Sequence, residues 1–253
     1  MNLDSSSPPP DLPQQLRDWY EQPLGQLLAA TEQSALDEIL PNLFGYHLLQ
    51  VSFACHSLLS ASRILHRAVM TVGPVRQPRE VGLSGDPEAL PISPDALDAL
   101  ILHHTLEFAE DPRKVLREAE RTLVGEGHIV ILGFNPRSVW GIRRLLRLRR
   151  NAVPWSARFL SVARVKDWLA LLGFEVLSAR QVFFRPPIQS ERILNRLGIL
   201  EKLGARWWPL RGGVYVIVAR KKVWTLTPIK PRWRPRRRLV SGLAGPASRS
   251  RLG

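Results

Sequence analysis

The chain has 253 residues, 45% of them hydrophobic, and carries a formal charge of +14. That length can bury a core without covalent staples. A single cysteine, Cys55, excludes an internal disulfide framework and any cysteine-built structural zinc site. There is no apolar run long enough for a membrane-spanning helix. The polar, proline-rich start MNLDSSSPPPDLP lacks the features of a signal peptide, so the cytoplasm is the expected compartment.

The charge is unevenly spread. From Lys221 onward there are ten Lys or Arg and no acid, which leaves 26 basic and 22 acidic side chains in the body. The isoelectric point therefore describes a tail more than a domain. Within that tail Pro231 and Pro235 interrupt KPRWRPRRR and prevent a regular helix or central strand. Arg232, Arg234, Arg236, Arg237 and Arg238, with Trp233 among them, suit nucleic-acid phosphates and bases or an anionic membrane surface. A solubilising tail is the plainer alternative. The run RSVWGIRRLLRLRR at 137–150 reads as an amphipathic basic helix, with Trp140, Leu145 and Leu148 sharing one side.

In chain order, residues 1–40 read as a polar lead and helices, with Trp19, Tyr20 and Leu24 available to dock and Pro41 ending the segment. YHLLQVSF at 46–53 is a buried strand, residues 55–65 look helical, and AVMTVG at 68–73 is a second strand. A very short strand at 81–83 precedes a turn at Gly85-Asp86-Pro87. DALILH at 98–103 is apolar without alternation, as a strand buried on both faces should be. Asp111-Pro112 starts a helix that Gly125 and Gly127 are expected to end. HIVILGF at 128–134 is the clearest strand. Ser161 caps a further helix closed by Gly173, and FEVLSARQVFF and Val214–Ala219 complete the set. Strands alternating with helices over 46–180 define a largely parallel α/β sheet. Residues 41–222 form that domain and 223–253 a basic tail.

Residues 90–136 carry a specific pattern: Leu90-Pro91, an Asp98-led strand, His104, Leu106-Glu107, Asp111-Pro112, then helix and strand in register. LLGFEVLSAR at 171–180 and VYVIVARK at 214–221 continue it. The pattern resembles the small-molecule branch of the class I S-adenosylmethionine (SAM)-dependent methyltransferases. The resemblance implies a Rossmann-like, seven-stranded, mostly parallel sheet with an antiparallel last strand. SAM would then lie across the carboxyl ends of the first four strands, where open parallel sheets bind ligands. It further implies that Asp86 takes the adenine amino group, and that Ser52, His103 and Glu107 adjoin the cofactor. His104 is the candidate base if an acceptor must lose a proton, since imidazole titrates near neutrality. Asn135 is the candidate amide contact to that acceptor, with capping of the next helix as its alternative.

Two features depart from the family pattern. LLQVSFACHS, after the first strand, contains no glycine, so Phe53 and His56 stand where relatives leave bare backbone. After the second strand the chain reads Gly73-Pro74 where an acid is expected, and only residues 73–80 remain for a crossover that ordinarily takes a dozen. The second crossover is therefore shortened, with Glu80 as a substitute acid. His47 and His56 fall outside any cluster with metal-ligand spacing, so no metal is expected. The reading is a SAM-dependent methyltransferase acting on a small-molecule acceptor. Its alternative is a non-catalytic relative that binds RNA or an anionic membrane surface.

Overall fold

The computed structural model describes residues 12–53, 56–72, 82–146, 153–188 and 212–223. The chain divides into two units, Met1–Val223 and Trp224–Gly253, and every described residue belongs to the first. Helices α1 (Leu12–Tyr20) and α2 (Pro23–Ile39) come first. Pro23 pre-sets the backbone for the first turn of α2.

Seven strands follow: β1 (His47–Ser52), β2 (His66–Thr71), β3 (Leu83–Ser84), β4 (Leu97–His103), β5 (Leu123–Phe134), β6 (Phe174–Val182) and β7 (Val214–Lys221). Between them lie α3 (Pro112–Thr122), α4 (Val139–Leu145) and α5 (Val162–Leu171). The strands form one sheet in the order β3-β2-β1-β4-β5-β7-β6. β7 runs antiparallel to both neighbours, while the pairs from β3 through β5 are parallel. This is the Rossmann-like sheet expected from the sequence. Strand order reverses direction between β1 and β4, the switch point at which such sheets bind ligands.

Local chemistry fixes where the strands begin. Gly45 has φ +142, and a Cβ there would collide with Asp98. The Asp98 carboxylate accepts the N–H groups of Tyr46 and His47, at 2.8 and 2.9 Å, which seats β1 beside β4. Side-chain alternation then divides the core. Leu49, Val51, Leu100 and Leu102 pack with Val115 and Leu116 of α3 and with Val165 and Leu169 of α5. Leu48, Ala99 and Ile101 pack on the other face with Leu36 of α2. A third, aromatic cluster joins Trp19 of α1 to Phe53, Phe134 and Trp140.

Three expectations are corrected. Residues 56–65 are not helical, because Gln50 on β1 captures the connection: its side chain donates to His56 O at 2.7 Å and accepts Leu58 N–H at 2.9 Å. Side-chain bonds thus replace a helical ladder. The helix expected to end at Gly125 and Gly127 stops at Thr122, and both glycines lie inside β5. Lys221 Nζ donates to Glu120 O and Leu123 O at 2.7 and 2.9 Å, satisfying carbonyls that a longer helix would have used. Finally, α4 does not gather Trp140 and Leu145 on one side: Trp140 is 1% exposed and Leu145 81%. Leu148 and the shortened 73–80 crossover lie outside the described residues.

Candidate active site

The last paired residues of β1 and β4, Ser52 and His103, face each other across the switch point. Alternation places them on the face that α2 covers. There α2 presents an acid, Glu32, which is fully buried between apolar neighbours. Glu32 Oε2 lies 3.0 Å from His103 Nε2, and Oε1 lies 2.7 Å from His104 Nε2. His104 Nδ1 is in turn 3.0 Å from Glu107 Oε1, which also accepts the N–H of Phe134 at 2.7 Å. Tyr20 of α1 donates its hydroxyl to Glu32 Oε2 at 3.2 Å. Ser52 Oγ is 3.0 Å from His103 Nδ1.

The charge distribution follows from this packing. Burial works against the His104 cation, but the carboxylates of Glu32 and Glu107 outweigh it and hold its pKa up at about 10. Burial likewise opposes the Glu32 anion, yet His104 and His103 bring it below the usual carboxylate range. His103 is pushed down by burial and stays neutral at ordinary pH. A neutral His103 satisfies its contacts by donating Nε2–H to Glu32 and accepting the Ser52 hydroxyl proton at Nδ1. His104 adopts φ +50, which points its ring into this space from the turn after β4.

Next to this buried network is an open cleft of about 450 Å³, lined by residues that include Phe53, Val72, Asp86, Phe108 and Glu110. That volume falls within the range of small-molecule pockets, roughly 300–1,000 Å³. Asp86 is exposed; its Oδ1 accepts Glu88 N–H at 2.8 Å, and Oδ2 has no partner among the described residues. Phe53 is 2% exposed and packs on Phe108 at 5.6 Å between ring centroids, giving the cleft an apolar wall.

Of the six residues singled out in the sequence, Asp86 lines the cleft, whereas Ser52, His103, His104, Glu107 and Asn135 do not. Ser52, His103, His104 and Glu107 come together in the buried network. The role of base expected for His104 is corrected by its two carboxylate neighbours, which keep it protonated and engage both ring nitrogens. Asn135 is also tied up, and the cap of α4 is Ser138, which accepts Gly141 N–H, not Asn135. Asn135 donates to Gly212 O at 3.0 Å and Gln181 Oε1 at 3.2 Å, and it accepts Arg137 N–H at 3.0 Å. Arg232, Arg234, Arg236, Arg237 and Arg238 lie outside the described residues.

Sequence reasoning missed Glu32, Tyr20 and His56. Glu32 had a signal: it interrupts the apolar face of α2 set by Leu24, Leu28 and Leu36, where a carboxylate needs a partner. His56 was set apart as lying outside any cluster, but the connection held by Gln50 brings its ring within 4.9 Å of the His103 ring. His47, likewise set apart, pairs with His66 at the opposite end of β1, at 2.8 Å.

The sheet order, with one antiparallel strand inserted beside β5, and the cleft at its switch point define a Rossmann-like methyltransferase architecture. A family model for a methyltransferase domain matches residues 56–131. The chain is 33% identical to the uncharacterized protein YafS of Escherichia coli over 215 residues, 84% of each chain. It resembles the structure of a SAM-dependent methyltransferase from Thermotoga maritima with a TM-score of 0.60 at 20% identity, covering 81% of this chain and 94% of that one. The [4+2]-cyclase SpnF shares the fold with a TM-score of 0.52 at 17% identity, covering 75% and 81%. The chain thus matches the methyltransferase-domain family over residues 56–131 and shares the fold of SAM-dependent methyltransferases. Among the described residues no helix is long and apolar enough to cross a membrane.

Proposed function

We propose that the protein transfers a methyl group from SAM to a small-molecule acceptor, holding the adenosine half of SAM in the cleft beside Asp86. The observation that carries this reading is the cleft itself. At the switch point it combines an apolar wall from Phe53, Val72 and Phe108 with an exposed carboxylate whose Oδ2 is available to an amino group. In this role Asp86 accepts the adenine N–H, and the phenyl rings exclude water from the base. SAM supplies an already activated methyl group, so the chain's task is to position rather than to form a covalent intermediate. The protonated His104 takes no proton from the acceptor. With Glu32, Glu107, Ser52 and His103 it holds the ends of β1 and β4 in place beside the cleft.

A second reading, that the chain kept the sheet and lost methyl transfer, is favoured by one observation. Phe53 is buried and the His56 ring packs on Tyr20 and His103, at the position where relatives leave bare glycine backbone for the methionyl half of SAM. Calorimetric titration with SAM, S-adenosylhomocysteine and adenosine separates the two. Methyl transfer predicts saturable binding of the first two, tighter than adenosine and weakened about tenfold by Asp86→Ala, the size of one charge-assisted hydrogen bond. Equal affinity for adenosine and S-adenosylhomocysteine supports the second reading. Absence of heat at millimolar ligand, from folded protein, removes the first.

A further inference from the structure

We propose that Glu32, His56 and His103 form a binding site for one divalent transition-metal ion of the zinc class. The three residues come from three separate elements, α2, the β1–β2 connection and β4, yet each offers a donor atom within 4.8 Å of the other two. A tetrahedral ion bound at 2.0–2.2 Å draws its donors to about 3.4 Å from one another. Glu32 Oε2 and His103 Nε2, at 3.0 Å, are already closer than that, and the His56 donor lies within 4.8 Å of both and closes the site by moving toward them. Two imidazoles and one carboxylate are a donor set that zinc accepts while leaving a fourth position open. The Tyr20 hydroxyl sits beside that position, 3.2 Å from Glu32 Oε2 and 3.3 Å from His103 Nε2.

Two further observations point to a ligand. His56 Nε2 is buried and has no hydrogen-bond partner among the described residues, although its ring packs against Tyr20 and His103 at 4.7 and 4.9 Å. Buried polar atoms are ordinarily paired, so this nitrogen needs an occupant. The donors also carry the supports that metal ligands require. Ser52 Oγ meets His103 Nδ1, which sets that ring to present Nε2, and His104 holds the second oxygen of Glu32. His104 is itself fixed by Glu107. An ion here replaces the proton between His103 Nε2 and Glu32 Oε2, while His103 carries its proton on Nδ1 toward Ser52. It ties helix α2 and the β1–β2 connection to the centre of the sheet.

The test uses the full chain without SAM, so its outcome is independent of the methyl-transfer reading. After chelator treatment, the protein is titrated with ZnCl2 by calorimetry and with CoCl2 by absorption spectroscopy. The expected result is one equivalent bound, the intense visible ligand-field bands of a low-coordinate cobalt site, and a rise in melting temperature with zinc. His56→Ala is expected to weaken binding at least tenfold and abolish the cobalt bands, with the metal-free circular-dichroism spectrum unchanged. Cys55→Ser is expected to keep both. No cobalt bands from folded wild-type protein, equal binding by His56→Ala, or loss of binding in Cys55→Ser would each overturn the assignment.

Discussion

Two regions at the same edge of the sheet are built on opposite terms. Over β1 and β4, Glu32, His103, His104 and Glu107 are buried, and each donates or accepts within the group. Toward β3, Asp86 stands exposed on an open cleft with one carboxylate oxygen available. Both regions contain the residue types from which active sites are made. Burial with mutual pairing marks a framework, although Glu107 Oε2 has no hydrogen-bond partner among the described residues. Exposure beside an apolar wall marks a binding surface. On the proposed function, Asp86 serves the ligand and the histidine–carboxylate group serves the sheet that presents it.

The largest test of that division is Glu32→Ala. It leaves the His104 cation with half its compensation, and loss of one partner in a buried pair costs about 3–5 kcal/mol. Chemical denaturation should show that loss, whereas a change below about 1 kcal/mol would place Glu32 outside the framework. Phe53→Ala comes next, at about 3 kcal/mol for a truncated buried ring. Its effect on ligand affinity discriminates further: SAM binding weakens if Phe53 is a cleft wall and strengthens if Phe53 blocks the methionyl half.

A pH dependence accompanies these losses. His104 has a folded pKa raised above its unfolded value of 6.5, so its contribution is complete below pH 6.5 and is lost as pH rises through about 10. Asn tolerates the left-handed backbone at this position. The stability gap between wild type and His104→Asn, in chelator-treated protein, is therefore expected to narrow by about 4 kcal/mol between pH 6.5 and pH 10.5. A constant gap would mean that His104 is neutral. Smallest in its effect on the domain is deletion of residues 224–253. It should lower salt-sensitive binding to RNA or anionic vesicles while leaving the melting temperature unchanged, and equal binding by both chains would deny the tail that role.

Much of the fold was legible because its signals are local. Asp111 caps α3 by accepting Arg113 N–H, Ser161 caps α5, and Gly173 turns the chain at φ +80, all as the sequence indicates. The continuous apolar run of β4 and the motif around His104 placed the switch point. What was not legible depends on partners distant in sequence. The 56–65 segment reads as helical until Gln50 captures it, and helix α3 stops where Lys221 reaches its last carbonyls. His104 looks like a free imidazole near neutrality until Glu32, 72 residues away, closes on one nitrogen. Asp86 lines the cleft, a position that follows from a strand end and a turn.

The most direct measurement is a crystal structure of the protein with S-adenosylhomocysteine. The account predicts the adenine ring in the cleft against Phe53 and Phe108, with its amino group at Asp86 Oδ2 and the His104 ring still enclosed between Glu32 and Glu107. Adenine bound elsewhere, or a nucleoside reaching His104 by displacing Glu32, would contradict it.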